Sequence, residues 1–119
     1  MSMLQALIAA KMAGGGGGGG SAGATRRIVM TAQDETAELQ PNVLYVFPEM
    51  ANLTITLAAI TDSTIANEYH FFFTSGATAT VTNFPAIPGL DDFAAEANTV
   101  YEVSVLEGIA RVDGNEVSQ

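Results

Sequence analysis

The chain has 119 residues, room for one domain, with 48% hydrophobic residues, a positive mean hydropathy and a formal net charge of −9. Its charge is split: residues 1–30 hold Lys11, Arg26 and Arg27 and no acid, while residues 31–119 hold all 13 acids and a single base, Arg111. A body this acidic argues against binding a nucleic-acid backbone, the lack of cysteine excludes disulfides and thiolate metal sites, and no apolar run approaches the roughly 18–20 residues that span a bilayer.

Ser2 to Ala13 reads as a short helix. Leu4, Leu7 and Ile8 fall on one stripe that Met12 continues, and Ala6, Ala9, Ala10 and Ala13 favour the helical state. No base precedes its apolar stretch, and Lys11 with Ala13 fails the small-x-small pattern, so it is expected to be retained rather than cleaved as a signal peptide. An isolated helix under about 12–15 residues is marginal in water, so its stripe needs a surface to dock on. Residues 14–24 are a linker built on seven consecutive glycines, Gly14, Gly15, Gly16, Gly17, Gly18, Gly19 and Gly20.

Residues 25–119 are expected to form the folded domain. Ile28 to Thr31 is a short β-rich run. Gln40-Pro41-Asn42 is turn punctuation before Val43-Leu44-Tyr45-Val46-Phe47, which Pro48 and Glu49 are expected to end. Asn52 to Leu57 alternates, with Leu53, Ile55 and Leu57 on one face, and Ala58 to Asn67 is a connection. Glu68 to Thr74 and Thr78 to Thr82 flank Ser75-Gly76, which predicts a hairpin. Tyr69, Phe71 and Phe73 share one face of the first run, and His70 and Phe72 share the other, so that second face must also be covered. Pro85, Pro88 and Gly89 mark a loop, Asp91 to Ala95 is a candidate helical turn, and Val100 to Leu106 alternates again before Gly108 turns the chain into Ile109 to Val112. Gly114 and the polar end read as frayed. The expected architecture is mainly β, a small antiparallel β-sandwich or barrel preceded by a short N-terminal helix and a poly-glycine linker.

Few residues suggest chemistry. The glycine run contains GxGxxG, but it follows a helix and precedes a strand, the reverse of the dinucleotide-binding order, and no Lys-Ser or Lys-Thr follows it. His70, the sole histidine, has Glu68 on its face, yet Ser63 and Ser75 sit in turn contexts with no oxyanion-type motif. Asp91, Asp92 and Glu96 lack the spacing of a calcium loop, and Asn52-Leu53-Thr54 places a glycosylation triplet inside a strand. No catalytic, cofactor or metal site is expected. The abundance of apolar residues, Phe71, Phe72 and Phe73 above all, instead favours a homo-oligomer, with Tyr69, Phe71, Phe72 and Phe73 as candidate interface residues.

PNVLYVFPEMANLTITL (Pro41 to Leu57), NEYHFFFTSGATATVTNFP (Asn67 to Pro85) and EANTVYEVSV (Glu96 to Val105) carry a resemblance. In order and spacing they resemble a β domain that recurs in structural proteins of tailed bacteriophages, particularly head-fibre and other fibre-type virion proteins. The resemblance spans Leu39 to Val112, although Phe84 to Pro88 stands without the Trp such domains often carry. It implies a non-enzymatic virion component that assembles as a homo-oligomer, often a trimer, and it lends no catalytic residues. The layout then reads as anchor, joint and display domain. Leu4, Leu7, Ile8 and Met12 would dock on the major capsid protein or another virion protein, and the glycines would serve as a flexible spacer or as a closely packed thread. A tail-fibre or tail-adaptor component is the nearest alternative. A host-glycan-binding module using Thr54, Thr56, Thr78, Thr80, Thr82 and Tyr69 is the other.

Overall fold

The computed structural model describes residues 26–117, and the anchoring helix and glycine linker expected over residues 1–24 lie outside them. Within that range the chain is mainly β, as expected. Its eight strands are β1 (Arg26–Val29), β2 (Thr36–Leu39), β3 (Val43–Glu49), β4 (Asn52–Leu57), β5 (Glu68–Ser75), β6 (Val81–Asn83), β7 (Thr99–Leu106) and β8 (Ile109–Glu116). They form a five-stranded sheet in the order β1-β3-β5-β7-β8 and a three-stranded sheet in the order β2-β4-β6. Successive strands from β1 to β6 alternate between the two sheets, so the chain coils and each sheet grows by one strand per coil.

This path corrects the antiparallel expectation. β1 with β3, β3 with β5, β2 with β4 and β4 with β6 all pair in parallel, and the antiparallel pairs are β5 with β7 and β7 with β8. The predicted hairpin around Ser75-Gly76 does not form, because β5 and β6 belong to different sheets. At that corner the Thr80 N–H donates to the Ser75 hydroxyl (2.9 Å), while the Thr80 hydroxyl donates to the carbonyl of Met50 (2.6 Å), in the corner between β3 and β4. Two corners are thereby stacked, and the Val81 N–H bonding the Ala51 carbonyl continues the stack. A hairpin would forfeit these bonds.

The opposite corners stack through asparagine. Asn42 has a positive φ of 66°, donates from Nδ2 to Asn67 Oδ1 (2.8 Å), and accepts from the Glu68 N–H through Oδ1 (3.1 Å). Asn67, which is buried, donates onward to the carbonyls of Asp62 and Ile65. Pro-Asn supplies the φ values of a type II turn, and the parallel register sets one corner amide against the next.

Three further boundaries differ from expectation. Pro48 lies inside β3 rather than ending it, and the β3–β5 register shifts between Val46 and Glu49, a bulge that accommodates a residue without an N–H. β8 runs through Gly114 to Glu116, paired with β7 along its length. Asp91 to Ala95 forms no helix; the turn sits earlier, with the N–H groups of Leu90 and Asp91 both bonding the Ile87 carbonyl. The turn at Gly108 is as expected: Glu107 and Gly108 both have positive φ, the two-residue connection favoured between twisted antiparallel strands.

One hydrophobic cluster lies between the sheets. Leu53, Ile55 and Leu39 from the three-stranded sheet meet Val43, Tyr45, Phe47, Tyr69, Phe71, Phe73, Val103 and Val105 from the five-stranded sheet. The loop from Phe84 to Asn98, which carries the chain back to β7, brings Phe84, Ile87, Leu90 and Phe93 against the same cluster. Phe84 contacts Phe71 and Phe73 edge-on and stacks on Phe93, so this ring fills the loop's place in the core.

Candidate interaction surface

The aromatic run of β5 divides by the strand's alternation, as the sequence predicts. Tyr69, Phe71 and Phe73 point into the core and are 6%, 1% and 0% exposed. Phe71 stacks on Phe73, Phe73 on Tyr101, and the Tyr69 hydroxyl donates to the Ala58 carbonyl. A subunit interface through these three rings would have to open the chain's own core. Phe72 is placed differently. It lies on the outer face of the five-stranded sheet with Leu44 as a second, separate buried cluster, and Val46 packs beside them.

The register builds this outer face in rows. Val29, Val46, Phe72, Glu102 and Asp113 occupy one row across β1, β3, β5, β7 and β8, and Arg27, Leu44, His70, Ser104 and Arg111 occupy the next. His70 Nε2 lies 2.7 Å from Glu102 Oε2 on the neighbouring strand, not against Glu68 as same-strand reasoning suggests. The His70 ring is tilted against Phe72, 5.5 Å between centroids. The pair therefore borders an apolar patch instead of a nucleophile; Ser75 is fully buried and its hydroxyl accepts from the Thr80 N–H at a corner.

A second apolar surface sits at one end of the coil. Ile60, Ile65, Leu106 and Ile109 are each about half exposed there. Beside them lies a shallow depression of about 230 Å³ that reaches in to Tyr69, Ile87 and Val105. The connection supplying Ile60 and Ile65 is held by Asp62, whose carboxylate accepts from the Thr64 hydroxyl and N–H. Those two bonds hold this exposed carboxyl below the usual carboxylate range. Periodicity does not point to this surface. Its signal in the sequence is two isoleucines set among turn-forming residues, where no core explains them.

The remaining candidates separate. The Thr80 hydroxyl is buried and Thr82 shares the inward side of Leu53, whereas Thr54 and Thr56 share the outward side of β4 with Asn52. Asp91, Asp92 and Glu96 are exposed, and no group of three or more His, Asp or Glu side chains among the described residues is placed to hold a metal ion. Leu4, Leu7, Ile8, Met12 and Gly14 to Gly20 lie outside the described residues. No protein-family model matches this chain, and no curated protein or solved structure matches it.

Proposed function

We propose that the chain is a non-enzymatic structural component of a tailed-phage virion: a capsid-attached head fibre or decoration protein, anchored by its N-terminal segment and displaying an oligomeric β domain. The observation that carries the reading is a division of labour along the chain. Among the described residues, those between Ala37 and Ala110 supply every buried member of the main core. The stripe Leu4, Leu7, Ile8 and Met12 is separated from those residues in sequence by the glycine run, and a helix as short as the one read there needs a surface to dock on. The phage-fibre resemblance names the kind of surface, a virion protein, and favours a trimer of the displayed domain. Oligomer contacts then fall to the exposed apolar end around Ile60, Ile65, Leu106 and Ile109 rather than to Tyr69, Phe71 and Phe73.

The tail-fibre and tail-adaptor readings differ from this one in location alone, and copy number per particle separates them. The glycan reading is weakened by the burial of Thr80 and the inward side of Thr82, which leave the threonine face smaller than the sequence suggests. The deciding experiment substitutes Leu7→Asp and Ile8→Asp together and counts copies on purified particles. Particles should lose the protein while the far-ultraviolet spectrum of the free domain stays unchanged. A full complement on particles would refute the anchor.

A further inference from the structure

Six large apolar side chains are exposed among the described residues, and four of them gather at one end of the coil. Ile60 and Ile65 come from the connection between β4 and β5, and Leu106 and Ile109 flank the Glu107-Gly108 turn. The register sets Leu106 opposite both Glu68 and Ile109, so these three form the last row on the outer face of the five-stranded sheet. The other two, Val29 and Val81, stand singly on edge strands β1 and β6. A single exposed valine is ordinary surface, whereas four such groups beside a depression mark an interface.

The charges at its margin point to what this patch meets. Glu107 lines the depression, Asp62 stands between Ile60 and Ile65, and Glu68 shares the Leu106 row. One base joins these three acids. Arg111 follows Ile109 by two residues on β8, hence on the same face, and it is exposed. It is the single base of residues 31–119, which carry 13 acids, and it makes no ion pair among the described residues. Glu102 and Asp113 occupy the row beyond it, with Glu102 against His70. A wholly acidic margin would suit a basic partner and would drive copies of this chain apart. Arg111 gives the margin both signs, so the surface is complementary to itself.

We propose that a second copy of the chain docks on this end. The four apolar side chains pack against those of the neighbour, and Arg111 pairs with a Glu68 or Glu107 carboxylate of that copy. Apolar contact supplies most of the affinity, and the pairing selects the partner and offsets repulsion between two acidic bodies. The proposal rests on the oligomeric β domain of the reading above and names its surface.

The full-length chain should self-associate in sedimentation velocity at micromolar concentrations. Ile65→Ser/Ile109→Thr changes two exposed positions, so the fold should survive by circular dichroism while the oligomer is lost. Arg111→Glu alone should weaken association about ten-fold. Glu68→Arg/Glu107→Arg should also weaken it, although that pair of changes lowers the net negative charge. Combining all three exchanges the two signs and should restore the parental affinity. A parent that stays monomeric would overturn the proposal. So would tightening in Glu68→Arg/Glu107→Arg, because association would then track net charge instead of pairing. An oligomer that survives Ile65→Ser/Ile109→Thr would also overturn it, yet would leave an oligomeric display domain that uses another surface. The anchor is tested separately, on particles, by Leu7→Asp/Ile8→Asp.

Discussion

Each of the three tyrosines closes a different loop with its hydroxyl while its ring stays in the core. Tyr45 accepts from the Gln40 N–H (2.8 Å), Tyr101 accepts from the Glu96 N–H (2.8 Å), and Tyr69 donates to the Ala58 carbonyl. The phenol suits this task because its apolar body packs like phenylalanine and its polar tip reaches the backbone at the core's rim. Tyr101→Phe separates the two contributions. It keeps the ring stacked on Phe73 and edge-on to Phe93, and it removes only the acceptor of the Glu96 N–H. The cost should be about 1 kcal/mol, the net value of one such bond. Tyr101→Ala also empties a ring-sized volume and should cost about 3–5 kcal/mol. Urea titrations with a shared slope would read both, and equal losses for Phe and Ala would mean that the ring contributes nothing.

At the scale of elements, stability is decided at the corners. Asn42 combines a left-handed backbone with two side-chain bonds to the next coil, through Asn67 and the Glu68 N–H. Asn42→Gly tolerates φ 66° but loses both bonds, so it should cost about 2 kcal/mol. Asn42→Ala loses the same bonds and adds a strained φ, about 1–2 kcal/mol more. If alanine proved no worse than glycine in chemical denaturation, the left-handed turn would carry none of the effect. The same corners explain what is legible in the sequence. Strand positions and faces are readable because alternation is local: Leu53 and Ile55, or Tyr69, Phe71 and Phe73, declare one side by themselves. Phe72 likewise declares that a second face needs covering. Strand direction is not readable at Ser75-Gly76, because the choice between a hairpin and a crossing rests on Thr80 bonding Met50, thirty residues earlier. A usable signal does exist in the recurrence of asparagine immediately before β3, β5 and β7, at Asn42, Asn67 and Asn98, but each taken alone is an ordinary turn residue. β2 escapes a reading by pattern because Thr36-Ala37-Glu38-Leu39 shows only two inward residues, too few for alternation to stand out. The exposed isoleucines at the coil's end escape it because Ile60 and Ile65 stand in a connection, where side chains follow no strand alternation.

For the whole molecule the decisive question is what seven consecutive glycines contribute to an N-terminal segment proposed to dock on a particle. Gly14 to Gly20 have two physical roles open to them. As a flexible coil, seven residues span about 15 Å, which would let the displayed domain and its attachment site differ in symmetry. Lacking Cβ, glycine also lets backbones approach closely, so a run of it can pack against copies of itself. Substitution separates the two roles. Alternating glycine and serine over the same seven positions keeps a flexible joint while adding side chains, whereas seven alanines favour helix and stiffen it. On purified particles, a spacer predicts the glycine–serine chain at the parental copy number and the alanine chain at a reduced one. Close packing predicts that both are lost, because serine hydroxymethyl groups obstruct it as alanine methyls do. Parental copy number in both chains would mean that the seven positions contribute nothing to attachment.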